Sequence, residues 1–101
     1  MAGMIALVWR YEVKAEARAS FEDTYGPSGA WAQLFARAEG YCGTELLRAA
    51  DGTYLTIDRW RARADFDAFL AVHREAYEAL DRATEGWTAS EQKLGDYEVL
   101  A

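Results

Sequence analysis

Cysteine, proline and histidine each occur once in this chain, at Cys42, Pro27 and His73. A lone cysteine rules out a disulfide within the chain and suits a reducing, cytoplasmic setting. Its expected role is a small buried hydrophobe in a strand rather than a reactive thiol. One histidine and one cysteine among scattered carboxylates make a poor ligand set, so no metal is expected. Basic residues are also scarce, with 11 Lys and Arg against 17 Asp and Glu and a formal net charge of −6 spread along the chain. That balance excludes nucleic acid and anionic membranes as expected partners. The apolar opening Met1 to Trp9 lacks a basic leader and runs into Arg10, Glu12 and Lys14 without a cleavage pattern. It reads as a first strand, not as a signal peptide or membrane span. Glycine-rich phosphate loops, the Gly-x-Gly-x-x-Gly fingerprint and a nucleophile elbow are missing, which removes nucleotide and acyl-transfer chemistry of those kinds.

Aromatic residues, by contrast, are plentiful, with 4 Trp, 6 Tyr and 4 Phe in 101 residues. A chain of this length suits one domain, residues 1–101, which buries only about two-thirds of the surface its unfolded chain exposes. An internal cavity is costly at that size unless association adds burial elsewhere. Rings beyond those the core needs can face a ligand or a partner chain.

The patterning divides the chain into six elements. Met4 to Val13 predicts a strand with Ile5, Leu7, Trp9, Tyr11 and Val13 on one face. Ala15 to Ala38 predicts helix, broken in two by Gly26-Pro27-Ser28-Gly29. Tyr41 to Ala50 and Thr53 to Arg61 predict two strands joined across Asp51-Gly52, a hairpin signal in which both turn positions tolerate positive φ. Phe66, Phe69, Leu70, His73, Tyr77 and Leu80 recur at helical spacing, and Gly86 ends that helix. Thr88 to Leu100 closes the chain as a strand with a bend at Gly95. The order β-α-β-β-α-β is the split unit of a ferredoxin-like α+β sandwich, a four-stranded antiparallel sheet with two helices on one face. The uncovered face keeps apolar members such as Val8, Leu46, Leu55 and Ile57, or their alternates if the facing is reversed, which predicts a homodimer packing sheet against sheet.

Trp60 closes the third strand, and the helix that follows carries His73 on its apolar stripe. Together they can frame a small apolar pocket between sheet and helices for an apolar or aromatic ligand. His73 is the only side chain whose unperturbed pKa is near neutral, which makes it the candidate base, and a hydrogen-bonded core histidine is the competing reading. Tyr77, one turn on, is the candidate to orient a substrate oxygen, and Arg10 or Arg59 to stabilise negative charge. Trp60, Trp9 and Phe69 are candidate substrate walls or plain core residues. Asp58 shares the parity of Thr56 and Trp60, so on a buried face it needs a partner such as Arg10, and an ion pair is expected. The Gly26 to Gly29 break reads either as a gate over the pocket mouth or as a surface kink.

The run Leu55-Thr56-Ile57-Asp58-Arg59-Trp60, followed by Phe66, Phe69-Leu70, His73 and Ala76-Tyr77, resembles the antibiotic biosynthesis monooxygenase family of dimeric α/β barrels. Tyr41 to Gly43 and Tyr97 to Leu100 also fall where such domains place strands, so the resemblance covers nearly the whole chain. It implies either a cofactor-independent oxygenase of quinols and polyketide phenols or a haem-degrading enzyme. The haem-degrading branch uses an Asn, a Trp and a His at positions that here hold Trp9, Phe69 and Ala79, which argues against that branch. His73, Ala76 and Tyr77 instead resemble the His-x-x-Ala-Tyr pattern of quinol-oxidising members. On that basis the expected activity is a monooxygenase without a bound cofactor, and the resemblance carries over His73 and Trp60 alone; Tyr77 as second catalytic candidate and Trp9, Phe69 and Arg59 around the substrate stand on the reading of the residues. The alternative is a non-catalytic dimeric module that holds an apolar metabolite.

Overall fold

The computed structural model describes residues 4–100. The first three residues of the apolar opening, and Ala101, lie outside that range. The element order is β1 (Ile5–Val13), α1 (Arg18–Tyr25), α2 (Ala30–Phe35), β2 (Tyr41–Arg48), β3 (Tyr54–Trp60), α3 (Arg63–Thr84) and β4 (Thr88–Glu98), with short 3-10 turns at Ala15–Ala17 and Glu85–Trp87. The strands form one antiparallel sheet in the order β2-β3-β1-β4. This is the ferredoxin-like α+β fold, and both helical regions cover the same face.

The helix-covered face of β1 carries Leu7 and Tyr11, which are buried, flanked by Ile5, Trp9 and Val13. On β3 the same face carries Tyr54, Thr56, Asp58 and Trp60, because Trp9 stands opposite Thr56 and Leu7 opposite Asp58. The period-2 alternation of β1 therefore predicts its facing correctly. On β2 the alternation fails. Tyr41 pairs with Trp60, but the register then shifts so that Gly43 pairs with Arg59 and Thr44 with Asp58. A bulge at Cys42-Gly43, where Gly43 takes a positive φ of 126°, inserts one residue and swaps the faces of everything after it. As a result Leu46, expected on the open face, lies opposite Thr56 and packs on the helix-side core. Leu47 takes the open position instead. Cys42 sits on the bulge and is exposed, not a buried strand hydrophobe.

The hairpin between β2 and β3 also differs in kind from its expected form. Ala49 N donates to Thr53 O, and Gly52 N donates to Ala49 O. Gly52 alone takes positive φ, at 88°, so the loop has three residues, Ala50, Asp51 and Gly52, rather than two. Such a loop is a type I turn followed by one left-handed residue. The Asp51 carboxylate holds it by accepting from Thr53 N and Thr53 Oγ1 at 3.0 and 2.7 Å.

The helix-breaking insert separates α1 from α2 as expected. Gly29 is required there because a Cβ would lie 2.3 Å from Thr24 O. α3 is amphipathic throughout, but His73 has φ −115° and ψ 21°, which breaks the helical path into two segments. The first segment lays Phe66, Phe69 and Leu70 on the sheet, and the second presents Tyr77 and Leu80. In β4 the pairing shifts between Val8 and Trp9 at Gly95, which has φ 153° and supplies the expected bend. Among the described residues no helix is long and apolar enough to cross a membrane.

Candidate active site

The space between sheet and helices is filled unevenly. At one end Trp60 is completely buried, with the rings of Phe35, Tyr41, Phe66 and Phe69 centred 5.4 to 5.6 Å away or, for Phe66, 5.2 Å. Toward the other end the packing leaves a cleft of about 70 Å³. Its floor is the sheet, with Leu7, Trp9 and Tyr11 from β1 and Thr56 and Asp58 from β3. Tyr25, Trp31 and Phe35 close it from α1 and α2, Tyr77 and Asp81 come from α3, and Glu91 comes from β4.

Asp58 is the ionisable group set into the floor. Its Oδ1 accepts a 2.6 Å hydrogen bond from Thr44 Oγ1. Thr44 Oγ1 also lies 2.5 Å from Tyr41 Oη. Because the threonine proton points to the carboxylate, the tyrosine hydroxyl must donate to the threonine, so the order is Tyr41 to Thr44 to Asp58. Burial raises the Asp58 pKa from 3.8 to about 6, and the Thr44 bond only partly offsets this. No ion pair forms with Arg10. Arg10 lies opposite Leu55 on the open face and approaches Glu12 at 3.6 Å. The expected Asp58–Arg10 pair is thus replaced by a hydroxyl chain, since adjacent residues of one strand point to opposite faces and Arg10 follows Trp9, which faces the helices.

The remaining polar groups share this end. Burial holds the hydroxyls of Tyr11, Tyr25 and Tyr77 above the usual tyrosine range, so all three remain protonated. Tyr25 Oη donates to Thr84 Oγ1 at 3.0 Å, and Thr84 Oγ1 returns to Leu80 O at 3.0 Å, which pins α1 to the end of α3. Glu91 is raised by desolvation and then by the neighbouring carboxylates Asp81 and Glu85. Trp31 is 8% exposed and its indole Nε1 makes no hydrogen bond of normal geometry.

Of the residues singled out in the sequence, Trp9 and Tyr77 line the cleft. Trp60 and Phe69 stand in the packed end, at 0% and 2% exposure. His73 lies at the break in α3, its ring 5.3 Å from that of Phe69, and is not among the residues lining the cleft. Arg59 stands opposite Ala6 on the open face and pairs with Glu45. The structure therefore brings together Trp9 and Tyr77 and leaves the other four outside the cleft. Asp58, Trp31, Asp81 and Glu91 enter it unannounced. For Asp58 the signal was present as a carboxylate on the parity of Thr56 and Trp60. For Trp31, Asp81 and Glu91, contributed by three different elements, no local pattern marks a common site. The Gly26 to Gly29 insert does not line the cleft, whereas Tyr25 and Trp31 on either side of it do. Among the described residues no group of three or more His, Cys, Asp or Glu is placed to hold a metal ion.

Comparison with known proteins agrees with this architecture. The family model described as antibiotic biosynthesis monooxygenase matches residues 4–81. A comparison with curated proteins gave no match. Among solved structures, a single-site variant of SnoaB, a cofactor-independent oxygenase from Streptomyces nogalater, is similar with TM-score 0.78 and 25% identity, over 99% of this chain and 96% of that one. Proteins of Nitrosomonas europaea and Bordetella bronchiseptica, provisionally described as antibiotic biosynthesis monooxygenases, share the fold with TM-score 0.73 each. Their identities are 17% and 20%, over 99% and 98% of this chain and 93% and 99% of theirs. With the fold and the match over residues 4–81 in agreement, the chain belongs to the antibiotic biosynthesis monooxygenase family.

Proposed function

We propose that this protein is a cofactor-independent monooxygenase that oxidises a small phenol or hydroquinone in the cleft, with Asp58 as the base. The observation that carries the reading is a carboxylate with its pKa raised to about 6, set in a floor of aromatic rings and held by a hydroxyl chain. A base poised near neutrality is what abstraction of a phenolic proton needs. The phenolate gives an electron to dioxygen far more readily than the neutral ring does. Radical recombination on the ring and loss of water then convert phenol and one dioxygen into a quinone and one water. Asp58 takes the phenolic proton, Tyr77 orients the ring, and Trp9 forms the wall beside it. Family membership and the likeness to SnoaB support the reaction type.

Oxygen uptake by the purified protein on a panel of hydroquinones and phenols tests this reading. Uptake lost in Asp58→Asn but kept in His73→Ala supports Asp58. Uptake lost only in His73→Ala makes His73 the base, and silence across the panel leaves the binding module as the better reading.

The functional unit is a homodimer joined through the open sheet face. Supporting this, Met4, Leu47 and Tyr97 are 36%, 44% and 51% exposed. Leu47 stands opposite Leu55, and Tyr97 opposite Ala6, on the side away from the helices. A patch of that kind on a domain this small marks an interface. Sedimentation of Leu47→Lys beside the parent protein checks it, with a shift from dimer toward monomer expected.

A further inference from the structure

The cleft combines an aromatic lining with carboxylates and, among the described residues, no Lys, Arg or His. Asp58, Asp81 and Glu91 line it, and none of the three forms an ion pair. The arginines that could have balanced them are engaged elsewhere, Arg59 with Glu45 and Arg63 with Asp67 and Asp96. Lys93, which stands opposite Trp9 on the same face, is held by Asp96 at 2.9 Å. Uncompensated like charges around a partly dry cleft repel one another and any anion that enters. The faces of Trp9, Tyr77 and Tyr25 attract a cation in the same space, because the ring quadrupole is negative above its plane.

A second observation points to a ligand independently. The Trp31 indole N–H is more than nine-tenths buried, lines the cleft and makes no hydrogen bond of normal geometry, with the Tyr25 hydroxyl beside it as its acceptor within the protein. A buried donor without a well-formed hydrogen bond costs about 1–3 kcal/mol, and unlike Trp60 Nε1, which is equally unpaired but enclosed among rings, the Trp31 N–H borders space that an acceptor can enter. A phenolic oxygen meets both demands at once, accepting from Trp31 while its own proton goes to Asp58.

We infer that the substrate class of this cleft is a small phenol bearing a protonated amine, with the phenolic oxygen between Trp31 and Asp58 and the ammonium held by Asp81 and Glu91. The inference rests on the oxygenase reading for the role of Asp58, but the charge preference is a property of the cleft alone. A cation at the rim also removes an obstacle to that chemistry. Forming a phenolate beside Asp81 and Glu91 is unfavourable, and an ammonium on the same molecule screens the new charge from them.

The test is calorimetric titration of the protein with three probes of matched shape: tyramine, para-ethylphenol and para-hydroxyphenylpropionate. Tyramine is expected to bind about tenfold tighter than para-ethylphenol, and the carboxylate about tenfold weaker, at low salt. In the double variant Asp81→Asn with Glu91→Gln, both positions being exposed, the gap between tyramine and the other two closes. Trp31→Phe weakens all three probes alike. Equal affinities in the parent protein, a preference for the carboxylate, no heat with tyramine, or a preference that survives in the double variant would each overturn the inference. Oxygen uptake measured on the same probes separates the two readings. Uptake without charge order removes the amine preference and keeps the oxygenase, while charge-ordered binding without uptake does the reverse.

Discussion

The two ends of the interior are built from the same kinds of residue yet behave differently. At the Trp60 end, rings meet rings edge-on or tilted, with Phe35, Phe66 and Phe69 around the completely buried indole. At the Tyr25 end the rings carry hydroxyls, and the neighbouring strands contribute Thr56, Asp58 and Glu91. A polar tip must reach a partner, so such rings cannot simply slide together, and the cleft follows. Aromatic content alone therefore does not locate a site. The aromatic residues that mark it are those whose polar atoms fix their positions; an unpaired indole N–H does not separate the two ends, since Trp60 Nε1 is as unpaired as Trp31 Nε1.

The largest effect should come from breaking the packed end. Trp60→Ala removes a fully buried ring from contact with four others and is expected to cost about 3–5 kcal/mol in a urea titration, enough to leave a domain of this size marginal. A loss below about 1 kcal/mol would show that the rings around Trp60 collapse into the space.

The next effect concerns the floor of the cleft and its sign. Folding raises the Asp58 pKa above its unfolded value, so the folded state binds the extra proton between about pH 4 and pH 6. Stability from this residue is therefore full at acid pH and declines as the pH rises through about 6. Asp58→Asn should remove that decline and stabilise the protein at pH 7.5 by on the order of 2 kcal/mol, while oxygen uptake falls. Chemical denaturation of both proteins from pH 4 to pH 8 checks the slope. Parallel curves would mean that the carboxylate is solvated. Gain of stability with loss of activity at one position would sharpen the contrast between the two ends, since Trp60→Ala is expected to lose both.

A smaller effect tests how the cleft end is pinned. Tyr25→Phe deletes the donor to Thr84 Oγ1, and because Thr84 keeps its bond to Leu80 O, the cost should be about 1 kcal/mol by thermal melting. Smaller again, Arg63→Ala removes exposed ion pairs to Asp67 and Asp96 and should stay within about 0.5 kcal/mol.

Much of the fold was legible because strong periodicity has one physical cause. The stripe Phe66, Phe69, Leu70, Tyr77 and Leu80 exists to cover a sheet, and it does so. The same holds for Leu7 and Tyr11 on β1. What the sequence hid was where the period slips. The extra residue at Cys42-Gly43 moved Leu46 inward, and the His73 break left the α3 stripe unchanged in pattern. Of the site, Trp9 and Tyr77 were legible because they lie on strong faces. Asp58 was visible but assigned the wrong partner, since the residue that holds it, Thr44, comes from a strand whose facing had been shifted by the bulge. Arg10 and Arg59 were alternatives for the interior, and alternation sends both outward, Arg10 after Trp9 and Arg59 between Asp58 and Trp60.

The bulge at Gly43 acts as a phase shifter for β2. Upstream of it, odd-numbered residues face the helices, and downstream even-numbered ones do, so one extra residue sets the parity of the whole strand. Deleting Cys42 would heal the bulge and leave Tyr41, Gly43 and Thr44 in plain alternation opposite Trp60, Arg59 and Asp58, so Thr44 and Leu46 keep the helix side and Asp58 keeps its hydroxyl. Lengthening the hairpin at Ala50 leaves the pairing from Tyr41 to Arg48 unchanged. A change of one residue is thus absorbed at both ends of this strand, by the bulge at one and by the loop at the other.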